Sequence, residues 1–157
     1  MATLNLSELT GTSANDVGFA NAAYTITYGL GGDDRFSTYS RASYTIVSGG
    51  LGNDFYLNEG WALFADIGGG YDILRMPGIS FSSPTSFIST IEGRQHLALW
   101  DSRTGTETII LNWLSPENKI EELQFGDVTI SSDELAYRIS QNPAYVPDHT
   151  WSELYYR

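Results

Sequence analysis

Four aspartates recur at nearly even intervals through the first half of the chain, each near the end of a glycine-rich segment. They are Asp16, Asp34, Asp54 and Asp72, and the intervals between them are 18, 20 and 18 residues. Calcium is held by about six to eight oxygen atoms from carboxylates and backbone carbonyls. Glycine adopts backbone angles that other residues avoid, so a glycine-rich turn can aim several carbonyls at one point. The pattern predicts turns that bind calcium.

One of these segments is a complete sequence motif. Residues 49–57, GGLGNDFYL, match the nonapeptide G-G-x-G-x-D-x-U-x at every defined position, where U is a large apolar residue. Three others match it in part: GTSANDVGF (11–19), GLGGDDRFS (29–37) and IGGGYDILR (67–75). Leu30 replaces a second glycine, Ile67 replaces a first glycine, and Gly18 stands where a large apolar residue is expected. Any one loop could be an ordinary tight turn, but four in register favour a repeated calcium-binding turn.

The segments between the turns are rich in residues that favour strands. They are ANAAYTITY (20–28), TYSRASYTIVS (38–48) and NEGWALFAD (58–66). Each period of about 18 residues therefore offers two short strands and two turns, which is one coil of a flattened right-handed parallel β-roll. Such a coil buries its inner side chains only when the next coil stacks on it. Stacked turns lie about 4.8 Å apart, and four turns make three gaps, so we expect up to three calcium ions.

The repeat ends after Pro77, and the rest of the chain predicts a cap. Residues 77–93 are interpreted as a last degenerate coil and a loop. Two β-hairpins are predicted where RQHLALW and TETIILNW flank DSRTG, and where IEELQF and VTI flank a Gly-Asp turn. Ser131 and Glu134 form the capping box of a short helix that we expect to run to about Ile139.

The predicted fold is therefore a single all-β domain over residues 1–157. It comprises calcium-binding coils of a right-handed parallel β-roll at 11–76 and a cap of β-hairpins and a short helix at 77–140. Residues 141–157 form either a tail or an extension of the cap.

Composition narrows the possible partners. The chain has 8 Lys plus Arg and 19 Asp plus Glu, a formal net charge of −11, which repels nucleic acid and anionic lipid and attracts cations. It has no cysteine, which excludes disulfides, zinc ribbons and thiol catalysis. No stretch reaches the length of a membrane span, and the first residues lack the features of a signal peptide. We expect no nucleic-acid partner, no membrane insertion and, if the protein is exported, a route without a cleaved leader.

The turns resemble the repeats-in-toxin, or haemolysin-type, calcium-binding repeats. Residues 96–131 resemble the strand pairs that commonly follow those repeats, so that the likeness covers about residues 11–135. The resemblance implies a set of calcium-binding residues: first Asp34, Asp54 and Asp72, then Asp16, with Asp33 and Asn53 as helpers and Gly29, Gly31, Gly49, Leu51, Gly68 and Gly69 as turn positions. In the family, calcium turns usually lie on both edges of the roll, whereas the alternate half-coils here lack the Gly-x-Gly-x-Asp pattern.

The resemblance also implies a function. Such modules are non-catalytic parts of larger secreted bacterial proteins, which pass unfolded through type I secretion machinery and fold when they meet extracellular calcium. Extracellular calcium modules bind in the range of about 10⁻⁴ to 10⁻³ M. Aspartates crowded into one column repel one another until cations neutralise them, so binding free energy becomes folding free energy.

Two other functions are considered beside this one. Trp61, Trp100 and Trp113 could form an aromatic face that binds polysaccharide or a cell surface, although packing is the commoner role of such residues. An enzyme would need converging acids and bases, and neither His96 nor His149 lies in a setting such as Gly-x-Ser-x-Gly. The adjacent acids Glu121–Glu122 and Asp133–Glu134 are explained by strand alternation and by a helix start. We therefore predict no catalytic residues.

Overall fold

The computed structural model describes residues 7–19, 25–39, 45–82, 86–88 and 90–141. This part of the chain is mostly strands with one short helix, so the all-β prediction is confirmed. Residues 142–157 lie outside the described residues, and with them His149 and nearly all of the predicted tail. No helix among the described residues is long and apolar enough to cross a membrane.

The strands are short and follow one another closely along the chain. In order they are β1 (Ser7–Thr10), β2 (Val17–Phe19), β3 (Thr25–Gly31), β4 (Arg35–Thr38), β5 (Thr45–Leu51), β6 (Phe55–Asn58), β7 (Trp61–Phe64), β8 (Ile73–Met76), β9 (Ser86–Ile88), β10 (Leu97–Asp101), β11 (Thr106–Ile110), β12 (Glu122–Phe125) and β13 (Thr129–Ser131). The helix α1 (Ser132–Ser140) follows at once.

The first eight strands alternate between two sheets. Sheet A has the order β1-β3-β5-β7-β11-β10-β9, and sheet B has the order β13-β12-β8-β6-β4-β2. Each of β1 to β6 pairs in parallel with the strand two places later in the chain, and β11 and β12 continue the parallel pairing on β7 and β8. Because every pair of strands advances both sheets by one place, the connections between them stack in columns.

The two sheets bury one hydrophobic core between them. Alternate residues along each strand face inward, as expected from the two-residue period of a β-strand. In sheet B the register aligns Phe36, Tyr56, Leu74 and Leu123 in one column, and all four are buried. The Tyr56 ring lies 5.1 Å from that of Phe64 in sheet A, centroid to centroid. This packing fixes the register of the strands and hence of the turns at their ends.

The segment after β8 departs from the expectation of a further coil. The strand β9 pairs antiparallel with β10, whereas the places beside β7 and β8 are taken by β11 and β12. The interpretation of residues 77–93 as a degenerate coil is therefore wrong. The hairpins β10–β11 and β12–β13 occur where the sequence placed them.

The helix begins as its capping pattern predicts. The side chain of Ser131 accepts a hydrogen bond from the main-chain N–H of Glu134 at 3.1 Å, which satisfies one of the unpaired donors of the first turn. Leu135 and Ile139 are buried against the core. The helix thus closes the end of the core beside β13.

Candidate metal centre

The four glycine-rich turns lie in one column, at the edge where each chain segment crosses from sheet A to sheet B. The residues that follow the four aspartates begin β2, β4, β6 and β8, and the sheet register pairs each with the next. The same register places Glu121, just before β12, beside Asp72. The column therefore holds five carboxylates, four from the repeat and one from the segment that follows it.

Four of the five carboxylates of the column fix the backbone of the turn before them. The main-chain N–H of Asp16 donates to Oδ1 of Asp34 at 2.7 Å. The same bond, at 2.8 Å, joins Asp34 to Asp54 and Asp54 to Asp72. The N–H of Asp72 donates to Oε2 of Glu121, also at 2.8 Å. The sequence suggested that Glu121 only reflects strand alternation. In the structure its carboxylate accepts the main-chain N–H of the preceding turn, as the column aspartates do.

A second set of side-chain bonds runs through the column in the opposite direction. Oδ1 of Asn15 accepts from the N–H of Asp33 at 2.9 Å, and Oδ1 of Asp33 accepts from the N–H of Asn53 at 2.9 Å. Oδ1 of Asn53 accepts from the N–H of Tyr71 at 2.8 Å. The expected helpers Asp33 and Asn53 are exposed, and one side-chain oxygen of each accepts one of these hydrogen bonds. Every inner turn is thus bound through side chains to both of its neighbours.

The second oxygen of three aspartates has no hydrogen-bond partner. Asp34, Asp54 and Asp72 are at most 1% exposed, and Oδ2 of each is buried without a donor. Leaving such a group unpaired is costly, and a buried charge needs a counter-charge. Asp16 differs because it is only partly buried and its Oδ2 accepts from the N–H of Thr12 at 2.7 Å. The structure therefore separates Asp16 from the other three.

The electrostatics of the column disfavour the charged carboxylates. Burial raises the pKa of Asp54 to about 6, against the hydrogen bond from Asp34, and the charges of Asp66, Asp34 and Asp33 raise it further. Burial also raises the pKa of Asp34, with Asp16 and Asp33 adding to the effect. The pKa of Asp72 is raised first by burial and then by the neighbouring carboxyl of Asp66. Each of these groups would be stabilised by a bound cation.

The unpaired oxygens face glycines that leave them room. A Cβ atom added to Gly29 would lie 2.1 Å from Oδ2 of Asp34 and 2.4 Å from the carbonyl oxygen of Gly49 in the next turn. A Cβ on Gly49 would lie 2.0 Å from Oδ2 of Asp54. A carboxylate oxygen and a neighbouring carbonyl oxygen thus converge beside Gly29, in a space that any side chain would fill.

The other predicted turn positions line the same edge. Gly31 and Leu51 are paired at the ends of β3 and β5, and Leu51 is exposed. Gly68 approaches the carbonyl of Gly50 so closely that a Cβ would lie 2.4 Å from that oxygen. The carbonyl of Gly69 accepts from the N–H of Gly52 at 3.3 Å. These residues form the backbone contacts between turns rather than side-chain ligands.

Asp66 is a further residue of the site, which the repeat pattern in the sequence does not include. The parallel register of β5 and β7 continues past Phe64 and places Asp66 beside Gly49, in the column of first glycines. Ile67 is therefore an extra residue, and the interpretation that it replaces the first glycine is wrong. The only signal in the sequence was an aspartate directly before a glycine-rich turn. The strand register that places this aspartate in the column cannot be read from the sequence.

Asp66 joins two aspartates of the column in a buried cluster. Its Oδ1 accepts from the N–H groups of Gly49 and Gly50 at 3.1 and 3.0 Å and from the hydroxyl of Tyr56 at 3.0 Å. One carboxylate oxygen from each of Asp54, Asp66 and Asp72 lies within 4.8 Å of the others. Three buried carboxylates at this separation can hold a metal ion.

The three tryptophans do not share one environment. Trp113 is 2% exposed and packs in the core. Trp61 and Trp100 are partly exposed and lie in neighbouring strands, where each is the register partner of Glu107. The indole N–H of Trp61 donates to the carbonyl of Gly105 at 2.7 Å. Of these three tryptophans, only Trp61 and Trp100 are partly exposed and could contact a ligand.

Comparison with known proteins assigns the chain to no family. No protein-family model matches the chain, and no curated protein matches it. The case for a metal centre therefore rests on the geometry of the turn column and of the Asp54–Asp66–Asp72 cluster.

Proposed function

We propose that this chain is a calcium-binding module whose stacked turns form the edge of a right-handed parallel β-roll. Calcium binds between neighbouring turns, at up to three places, and its binding stabilises the fold. The observation that carries the proposal is the row of buried Oδ2 atoms on Asp34, Asp54 and Asp72, which have no hydrogen-bond partner. The alternation of parallel strands between two sheets supports the β-roll.

The chemistry of the donors favours calcium among the common metal ions. The turn column offers carboxylate and carbonyl oxygens, whereas zinc and copper prefer sites with imidazole or thiolate. Magnesium demands nearly ideal octahedral geometry and keeps several waters, while calcium accepts irregular shells of backbone and carboxylate oxygens. In the proposed site the aspartates supply charge through Oδ2, and carbonyls such as that of Gly49 supply neutral donors.

The charge balance explains why binding would drive folding. Folding brings Asp34, Asp54 and Asp72 into a buried column on a chain of net charge −11. Without a cation, the folded state holds these carboxylates out of water and next to one another. A cation that binds only the folded chain lowers its free energy by an amount that grows with calcium concentration. The module is therefore proposed to be weakly folded without calcium and compact with it.

The proposed setting is outside the cell. The module would be a non-catalytic part of a larger secreted bacterial protein that leaves through type I secretion machinery. Calcium in that setting is abundant, whereas the cytoplasm keeps it scarce, so the chain would reach its compact, stable state only after export. This part of the proposal rests on the resemblance to haemolysin-type repeats.

Circular dichroism during a calcium titration tests the proposal, with magnesium as the control ion. Asp34→Asn removes the unpaired oxygen but keeps the acceptor for the N–H of Asp16. Asp33→Asn is the matched control, because it removes a neighbouring charge and keeps the Oδ1 acceptor for the N–H of Asn53. Asn15 and Asn53 provide the same acceptor at this position of the neighbouring turns. We expect Asp34→Asn to raise the calcium midpoint about tenfold or more and Asp33→Asn to raise it far less. A wild-type chain that is fully folded in chelator and unchanged by calcium would overturn the proposal.

A second candidate function is binding of a polysaccharide or cell surface. The observation that favours it is the row Trp61–Glu107–Trp100 across three strands of sheet A, in which two partly exposed indoles lie on either side of the buried Glu107. Titration of a neutral oligosaccharide, followed by isothermal titration calorimetry, tests it. The Trp61→Ala and Trp100→Ala variants should each abolish the response, and binding that survives both changes contradicts this function.

A further inference from the structure

The Asp54–Asp66–Asp72 cluster differs in kind from the rest of the turn column. We propose that the gap it lines, between the turns of Asp54 and Asp72, is the tightest calcium site in the protein and the first to fill, with Asp66 as a ligand outside the repeated turn pattern. This inference rests on the proposed function, because it assigns one particular site within a calcium-binding chain.

Each carboxylate of the cluster has one oxygen fixed and one oxygen available. Oδ1 of Asp54 and of Asp72 accepts a main-chain N–H from the preceding turn. Oδ1 of Asp66 accepts two main-chain N–H groups and the Tyr56 hydroxyl. The three Oδ2 atoms are buried and without hydrogen-bond partners, on side chains that are at most 1% exposed. The donors are thus held in place before any ion arrives, which lowers the cost of binding.

The cluster also carries more charge than the other gaps between turns. Where Asp66 stands, the two preceding turns have Gly29 and Gly49. Among the described residues, the only buried carboxylates at their gaps are therefore the column aspartates, since the nearby Asp33 is exposed. The affinity of a calcium site rises with the charge of its ligands and with its rigidity. The charges that act on Asp54 and Asp72 are those of other aspartates. Three carboxylates and a rigid frame therefore make this gap the strongest.

The cluster is joined to the segment that follows the repeat. The side-chain amide of Asn118 donates to the carbonyl of Asp66 at 2.5 Å, and the N–H of Gly68 donates to the carbonyl of Glu117 at 3.1 Å. The N–H of Asp72 donates to Glu121. An ion held by Asp66 and Asp72 would therefore order the last turn together with the strands that continue both sheets.

One other occupant fits the same geometry. The carboxyls of Asp66 and Asp72 are neighbours in the cluster, and a proton bound between them would remove one of the three charges without any metal. If a proton occupies the cluster, the first metal ion binds elsewhere and a change of Asp66 leaves its affinity unchanged. If calcium occupies the cluster, the same change weakens the first site, so the test distinguishes the two occupants.

Terbium luminescence tests the inference, because terbium occupies calcium sites and emits when a nearby tyrosine is excited. Tyr56 touches Asp66 through its hydroxyl and serves as the sensitiser. The wild type should show a first tight site near one equivalent, displaced by calcium. Asp66→Asn should weaken that first site about tenfold or more while later sites persist. Asp34→Asn, the control, should leave the first site and weaken a later one.

The outcomes separate this inference from the proposed function. An Asp66→Asn chain with an unchanged first site would overturn the inference and leave a calcium-binding module, with a shared proton as the occupant. A wild type that binds neither terbium nor calcium would overturn the function itself. If Asp66→Asn does not fold in excess calcium, Asp66→Gly replaces it, since glycine is the residue that the two preceding turns use at this position.

Discussion

The main-chain N–H of Asp54 donates to Oδ1 of Asp72 at 2.8 Å, although the two residues are 18 positions apart in the chain. The carboxylate of one turn therefore holds the backbone of the turn before it, and its other oxygen is left for a ligand. One carboxylate thus both accepts a main-chain hydrogen bond and offers an oxygen to a metal ion, and substitutions can separate these two roles.

Asp72→Ala and Asp72→Asn should have opposite effects on the calcium-free protein. Alanine leaves the N–H of Asp54 buried and unpaired, which costs about 1–3 kcal/mol. Asparagine keeps the acceptor, removes a buried charge and can donate to the carboxylate of Asp66. Urea unfolding in chelator should show Asp72→Ala less stable than the wild type and Asp72→Asn at least as stable. Both variants should lose calcium affinity. Equal destabilisation of the two would mean that the hydrogen bond contributes nothing.

The calcium-free fold should lose stability as the pH rises from 5 to 7. Burial raises the pKa of Asp54 from 3.8 to about 6, and the pKa values of Asp34 and Asp72 are also raised. A group with a raised pKa contributes stability that is complete below its unfolded pKa and is lost as the pH passes its folded pKa. The pKa values of Asp101 and Asp127 are lowered, so those groups stay charged throughout this interval.

The measurement is the melting temperature in chelator and in calcium. In chelator it should fall between pH 5 and pH 7, and in saturating calcium it should hold or rise, because the ion competes with protons for the same carboxylates. A melting temperature in chelator that rises over this interval contradicts the assignment of the buried aspartates.

Asp54→Ala should raise the calcium midpoint more than Asp16→Ala does. Oδ2 of Asp54 is buried and unpaired, whereas Oδ2 of Asp16 is bound to Thr12 in a more exposed turn. A calcium titration followed by circular dichroism compares the two variants directly. Equal shifts would mean that the first turn holds metal as firmly as the third.

Leu30→Gly should leave the stability unchanged or raise it by up to about 1 kcal/mol. Leu30 has a φ of +81° at the turn position where Gly50 and Gly68 stand, and such an angle costs a residue with a side chain about 1–2 kcal/mol. Glycine gives back about 0.5–1 kcal/mol through the greater freedom of the unfolded chain. The Leu30 side chain is half exposed, so little packing is lost.

The control is a change from glycine to a larger residue at the equivalent position of the next turn, Gly50. A Cβ on Gly50 would lie 2.6 Å from the carbonyl oxygen of Leu30, so Gly50→Ala should destabilise the protein. Thermal unfolding in calcium measures both changes. A marked loss of stability in Leu30→Gly would show that this side chain makes contacts that outweigh its backbone strain.

The spacing of the aspartates was enough to predict a column of turns, because a fixed period in sequence becomes a fixed place in a stacked structure. The capping pattern at Ser131 and the two hairpins were visible for a similar reason, since each depends on residues close in sequence. Asp66 and Glu121 were not predictable in the same way. Their partners are set by the register of β7 and β12 against earlier strands, over separations of up to 49 residues.

The prediction of a further coil after Pro77 was wrong because the local sequence pattern does not show which strand each new strand pairs with. A short apolar strand can extend a sheet in either direction, and here β9 joins β10 while β11 and β12 take the places of a further coil. The buried position of Trp113 likewise follows from tertiary packing and not from any local signal.

A crystal structure grown in millimolar calcium, with anomalous scattering to locate the ions, is the most direct test of the central claim. We predict ions between neighbouring turns, about 2.3–2.6 Å from Oδ2 of Asp34, Asp54 and Asp72. One of them should also be bound by Asp66. Turns that stack as described but hold no ion under those conditions would contradict the account.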